Sequence, residues 1–209
     1  GVGSQRIALE NPETSSSFSI VRQYAPDILI FANLGAIQLN YGYTLDHCKK
    51  AIDMIAADAL VLHLNPLQEA VQENGNTGFR FLSKKIHSIC RNLPIPVIVK
   101  EVGFGISKQT ARVLNECGVA AIDVAGAGGT SWSQVEKHRA LNKSMRDLAS
   151  TFHDWGITTR DSILNIRNTV PDMKIIASGS LNSGLDVAKC LALGAVLGGM
   201  AGQFLQVSV

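Results

Sequence analysis

Apolar residues in this chain gather into short unbroken runs instead of alternating with polar ones. The runs cover 28–32, 59–64, 97–100, 120–125, 174–177 and 195–200, and the opening Gly1–Ser4 reads as the tail of another. Between them lie stretches with apolar residues at helical spacing, at 43–57, 78–92, 107–117 and 183–193. A continuous apolar run is the pattern of a strand buried on both faces. Such strands alternating with amphipathic helices predict a parallel sheet covered by helices, an α/β fold. Gly118 and Gly194 each follow a helical stretch, where a left-handed cap suits glycine.

Seven strand signals are present, whereas a closed TIM (β/α)8 barrel needs eight. The last run is followed by about ten residues, too few for a full closing helix. The expectation is a single domain over 1–209, a TIM barrel lacking its first βα unit and most of its last helix. A doubly wound open sheet is the alternative, but it requires a switch in strand order that the pattern does not reveal.

One run delivers chemistry. Ala59-Leu60-Val61-Leu62-His63-Leu64-Asn65-Pro66-Leu67-Gln68-Glu69 begins as a buried strand and ends in an imidazole, two amides and a carboxylate. Pro66 stops ladder hydrogen bonding there. Core packing gives no reason for that cluster, whereas the C-terminal mouth of a parallel barrel is where active sites are built. Glu69 beside two amides suits Mg²⁺, a hard ion that keeps several waters and bridges to phosphate, or it is a carboxylate favouring a helix start. Lys100 ends the run Val97–Lys100 and needs an anion there, either a ligand or a carboxylate such as Glu101. Ser4, Gln5 and Arg6 bring a hydroxyl, an amide and a guanidinium to the same mouth, and an arginine fork suits phosphate.

Glycine loops follow the later runs. Ala125–Ser131 carries three glycines with Thr130 and Ser131; Ala177–Gly184 and Gly198–Gly202 follow the last two runs. Small residues allow close backbone approach. Paired glycine loops after the seventh and eighth strands of a barrel are its usual phosphate site, unless they are tight turns only. The candidates divide into a set suited to a phosphorylated planar cofactor (Lys100, Thr130 and the glycine loops at 179 and 201) and a set suited to a small anionic substrate with Mg²⁺ (Arg6, His63, Asn65, Gln68 and Glu69).

Composition narrows the classes. Nineteen Lys and Arg against 17 Asp and Glu leave a net charge of +2, too balanced to suggest nucleic-acid binding. Cys48, Cys90, Cys117 and Cys190 lie far apart and predict reduced thiols in a cytoplasmic protein rather than a zinc site or disulfide frame. Residues 190–209 are uncharged, with Gly194, Gly198 and Gly202 four apart, which imitates a membrane-helix motif. So many glycines read better as helix, turn, strand and phosphate loop, so no membrane span is expected.

These stretches resemble the type 2 isopentenyl-diphosphate isomerases, flavin-dependent enzymes of isoprenoid synthesis. The likeness runs through Gly1–Arg6, Ala32–Ala36, His63–Glu69, Val99–Gly103, Asp123–Trp132, Asp154–Ile157 and Gly184–Lys189, in family order along nearly the whole chain. The resemblance implies a TIM barrel with FMN at its mouth, lined by Ser4, Asn33, Lys100, Thr130, Gly179, Ser180, Leu181, Ala201 and Gly202. It implies that Ser4, Gln5, Arg6, His63 and Asn65 hold a diphosphate substrate. Gln68 and His63 would serve at the reacting group and Glu69 would bind Mg²⁺. It also implies interconversion of isopentenyl and dimethylallyl diphosphate, FMN reduced by NADPH, and a homo-oligomer of four or more subunits. The sequence departs from the family pattern at Ser180, where a second glycine is usual, at Asn182, where an arginine is usual, and at Asn74 and Asn76, where Glu and Asp are usual. Alternatives are a truncated, inactive flavin-binding copy and an FMN-dependent 2-hydroxy-acid oxidase or dehydrogenase. The latter would need a histidine and an arginine that the loops after 123 and 178 lack.

Overall fold

The computed structural model describes residues 1–207. Two short helices, α1 (Arg6–Glu10) and α2 (Ser16–Tyr24), precede β1 (Phe31–Gly35). There follow α3 (Leu45–Met54), β2 (Ala59–His63), α4 (Pro66–Val71), α5 (Leu82–Asn92), β3 (Val97–Lys100), α6 (Lys108–Cys117) and β4 (Ala121–Asp123). Then come α7 (Trp132–Arg139), α8 (Lys143–Thr151), α9 (Thr159–Thr169), β5 (Lys174–Ser178), α10 (Gly184–Ala192), β6 (Leu197–Gly199) and α11 (Gly202–Val207).

All six strands are parallel and stand in the order β1-β2-β3-β4-β5-β6. Strand order therefore follows chain order without reversal, as in the wall of a barrel, and a doubly wound sheet is excluded because it requires a switch point. Both faces are apolar, for the reason the unbroken runs suggested. On the outer face Leu34, Leu62, Val99, Ile122 and Ile175 pack against the helices with Ile86, Leu114, Ile163 and Ile166. Full burial of each such side chain stabilises by about 1.5–3 kcal/mol. The inner face carries a smaller cluster of Ala59, Val61, Ile98 and Ala121 with Phe31 and Ile176. Its two alanines leave space above the floor of the sheet.

Local chemistry sets the ends. Thr44 and His47 form a reciprocal cap on α3, Ser107 accepts from Thr110 N on α6, and Gly118 closes α6 at φ +80°. Gly194 follows α10 at φ +107°, the conformation expected of it.

Two strand expectations are corrected. The first strand lies at Phe31–Gly35, three residues later than the apolar run 28–32. Ile28 and Leu29 are exposed, because Arg22 bonds the carbonyl oxygens of Pro26 and Ile28 and Asp58 holds Ile30 N, which fixes that segment as a bend. Gly1–Ser4 is not a strand, although Val2 N donates to Phe31 O and Gln5 N to Asn33 O, which lays the segment along β1. The uncharged stretch 190–209, whose last two residues lie outside those described, divides into α10, β6 and α11. Among the described residues no helix is long and apolar enough to cross a membrane.

Candidate active site

Register places the polar strand ends side by side. Gly35 pairs with His63, His63 with Lys100, Lys100 with Asp123, and Ser178 with Gly199. Above them opens a cavity of about 610 Å³, walled by the loops after β3, β4, β5 and β6. Of the nine expected cofactor residues, Asn33, Lys100, Thr130, Gly179, Ser180, Leu181, Ala201 and Gly202 line it. Ser4 does not: it is exposed, and Gly1 and Val2 supply that part of the wall.

The loops meet because glycine lets backbone touch backbone. A Cβ on Gly179, which sits at φ +96°, would fall on the peptide of Gly126, and one on Gly129 would stand 2.9 Å from Ser180 N. Ser180 itself lies at φ +63°, a left-handed conformation unusual for serine. Asn182 donates to Ser180 O and accepts from Gln203, and Asp186 accepts from Asn182 N and Ser183 Oγ at the start of α10. The helix start is thus occupied by the chain's own carboxylate, and residues 178–182 are the part of this loop that faces the cavity.

Lys100 makes no ion pair with Glu101, one of the alternatives the sequence left open. Its Nζ donates to the Glu101 carbonyl oxygen at 2.7 Å. Glu101 Oε2 instead accepts from the backbone N–H groups of Val102, Gly103 and Phe104 at 2.7–2.9 Å. Burial pushes Glu101 up to about 7 against the pull of those donors. Burial also lowers Lys100 from its ordinary value, with Asp123 and Glu101 opposing that shift.

Asn65, Gln68 and Glu69 come together as expected. Asn65 Nδ2 donates to Glu69 Oε1 at 2.9 Å and to Gln68 Oε1 at 3.3 Å. Glu69 Oε2 accepts from Asn76 N, and Glu69 is buried. Asn74 takes φ +60°, which asparagine tolerates, and turns the 72–76 loop over Glu69. Asn65 Oδ1 is buried without a partner among the described residues.

His63 joins this corner to the cavity. Asn33 Nδ2 donates to Val2 O at 3.0 Å, which turns Asn33 Oδ1 toward His63 Nδ1 at 2.8 Å. Nδ1 therefore carries the proton and Nε2 the lone pair. Burial, and then Lys100, hold the imidazole down at about 4, so it is neutral at pH 7. A neutral His63 with its proton spent on Asn33 is a poor donor to a diphosphate oxygen. That corrects the expectation of a direct anion contact in this state.

Gln5 is corrected outright. It is 0% exposed, donates to Ala51 O at 2.9 Å and accepts from Asn33 N at 3.0 Å. Those bonds tie α3 to β1 and leave no face for a substrate. Arg6 is exposed at the surface, paired with Glu10 at 2.7 Å, outside the cavity wall.

Three residues escaped the sequence reading of the site. Asp123 lines the cavity and Ser178 donates to it at 2.5 Å. Asp123 ends β4 but stands inside the apolar run 120–125, so the pattern that marks Lys100 as a strand end passes over it. Glu136 on α7 is 4% exposed and accepts from Gln68 Nε2 at 2.8 Å. No local signal links two residues 68 positions apart.

A parallel α/β sheet with a polar, glycine-rimmed cavity at the C-terminal ends of its strands defines a protein built to bind a phosphorylated cofactor. The chain matches the FMN-dependent dehydrogenase family over residues 40–206 and belongs to it. It is 56% identical to an isopentenyl-diphosphate delta-isomerase of Nostoc sp., over all of this chain and 59% of the relative. It is 53% identical to the protein of that name from Synechocystis sp., over 96% of this chain and 57% of the relative. With the Rickettsia peacockii isopentenyl-diphosphate delta-isomerase it shares 52% identity over 99% of this chain and 60% of the relative. The chain thus spans about three-fifths of the length of these relatives.

Proposed function

We propose that this chain carries the cofactor and substrate sites of a (β/α)8-barrel isomerase that interconverts isopentenyl and dimethylallyl diphosphate. The observation that carries the reading is the convergence of Asn33, Lys100, Thr130, Gly179–Leu181 and Ala201–Gly202, from five separate stretches, on one cavity. The identity with relatives of that name supports the same reading.

The cavity fits FMN. Its glycine loops leave backbone exposed where a phosphate can approach, and Lys100 on the cavity wall would offer the ring a half-buried cation. When bound and reduced, with NADPH as reductant, FMN supplies an electron-rich ring that stabilises charge beside the substrate. Lys100 would hold that negative charge. Mg²⁺ fits less fully. Among the described residues no three His, Cys, Asp or Glu side chains converge on one point. Glu69 alone is the carboxylate offered, and its oxygens already accept from Asn65 Nδ2 and Asn76 N, so Mg²⁺ there would be completed by water and phosphate oxygens.

Isomerisation adds a proton at the terminal methylene carbon and removes one from the carbon beyond the branch, with no net electron transfer. Mg²⁺ on Glu69 and the Arg6 guanidinium would anchor the diphosphate and leave the apolar tail toward the cavity. His63 would hold Asn33 in place. Gln68, its amide fixed by Asn65 and Glu136, would stand at the reacting carbons.

A second reading is a flavin binder without turnover, and Ser180 and Asn182 favour it. One assay separates the two. The purified chain, alone and joined to the segments by which its relatives exceed it, is given FMN, NADPH, Mg²⁺ and isopentenyl diphosphate. Dimethylallyl diphosphate from the longer form is expected. Bound FMN with no product selects the second reading; neither FMN nor product overturns both. Lys100→Ala should weaken FMN binding at least about tenfold, the equivalent of one charge-assisted contact. The proposed enzyme works in the cytoplasm as a homo-oligomer.

A further inference from the structure

The proposed mechanism makes no use of Asp123. It ends β4 on the inner face, pairs in register with Lys100 on β3 and Ile176 on β5, and faces the cavity. Oδ1 accepts from Ser178 Oγ at 2.5 Å and from Ala125 N at 3.3 Å. No donor among the described residues meets Oδ2. A half-buried carboxylate on the cavity floor is costly unless a cation compensates it, and the cation on the neighbouring strand is Lys100, which makes no direct bond to it. Burial drives Asp123 up and Lys100 down, and each opposes the other's shift.

We propose that Asp123, held by Ser178, is a positioning residue that acts through space on the Lys100 ammonium of the neighbouring strand and offsets part of its charge, so that the two groups together set how strongly a reduced flavin is stabilised. This rests on the FMN reading above. A lone cation at this place would favour the reduced, anionic ring more strongly; a carboxylate one strand away restrains that preference. The other charged groups near Lys100 do not replace it. Glu101 turns one oxygen into its own backbone loop and His63 is neutral at pH 7. The Gly1 amino group also acts on Asp123. The measurement is therefore made on the polypeptide extended beyond Gly1.

Asp123→Asn keeps the shape and the acceptor for Ser178 while removing the charge. At a fixed solution potential the ratio of reduced to oxidised bound flavin should rise about tenfold, equal to about 30 mV for a two-electron couple. Ser178→Ala should move the ratio the same way by less, and Asp123→Glu should bring it back toward the parent. A purely structural role would lower the melting temperature of all three with no ordered change in the ratio, and that result overturns the proposal. So does bound flavin with an unmoved ratio in Asp123→Asn or, where that variant does not fold, in Ser178→Ala. A parent that binds no FMN overturns the flavin reading and this inference together, which distinguishes the two failures.

Discussion

At the corner after β2, Asn65 reaches Gln68 and Glu69 across three or four residues of chain, and Glu69 takes its other partner seven residues on. In the cavity, Asp123 meets Ser178 across 55 residues, and Gly126 packs on Gly179 across a similar span. The corner is a mostly local structure whose polar groups bond one another, save the partnerless Asn65 Oδ1 and Gln68 Nε2, which reaches Glu136 on α7. The cavity is assembled by the sheet and leaves Lys100 and Asp123 only partly answered. Local closure lets a short segment specify most of the corner, all but the Gln68 bond to Glu136. Long-range convergence makes a site with unsatisfied groups, which is what a cofactor requires. His63 touches both, through Asn33 on one side and its own strand on the other.

If the cavity depends on loop-to-loop contact, its glycines are its weakest points. Gly179→Ala places a methyl on the Gly126 peptide and forbids the φ of +96°, so stability should fall by about 3 kcal/mol or more in urea titration. A loss under about 1 kcal/mol would mean that the loops do not pack in this way. The corner should fail more gently. Glu69→Ala removes the acceptor for Asn76 N and for Asn65, at about 2 kcal/mol, and should open residues 72–78 to proteolysis while the cavity loops stay protected. Equal cleavage of both regions would dissolve the distinction between them.

The junction has a pH signature. The unfolded state takes up a proton on His63 near 6.5, whereas the folded state resists until about 4. Between those values the unfolded state binds more protons, so the His63 contribution is present above 6.5 and is lost as pH falls toward 4. Glu101, raised to about 7 by burial, acts with the opposite sign between its ordinary value and 7, so the parent curve alone hides the effect. His63→Gln removes only the first. The variant should therefore gain on the parent by up to about 1.4 kcal/mol per pH unit as pH drops from 6.5 to 4. Parallel stability curves would count against a neutral, buried His63.

Smallest is the effect at Ser180. Glycine relieves a left-handed serine, so Ser180→Gly should raise stability by about 1 kcal/mol and tighten FMN binding by clearing the cavity wall. A destabilised variant would show that the hydroxyl is bound where the backbone alone was thought to matter.

Much of the cavity was legible because each strand end announces itself. A polar residue after an unbroken apolar run, as at Lys100, marks the mouth whatever the partner strand is. Asn65, Gln68 and Glu69 were legible for the same reason, with Pro66 fixing where the strand stops. Gln5 misled because a polar residue near the mouth looks the same in sequence whether it faces a ligand or braces β1 from behind. Ile28 and Leu29 misled because apolar character does not reveal that Arg22 and Asp58 bend the chain before the strand begins.

By itself the sequence determined the alternation of buried strands and covering helices, the polar strand ends, and the glycine loops, since each depends on neighbours a few residues away. Only the tertiary structure decided that Glu136 holds Gln68, that Ser178 holds Asp123, and that the His63 proton points to Asn33. Those choices depend on which strands stand side by side and how their loops fold back, and that arises from packing the whole sheet rather than from any one segment.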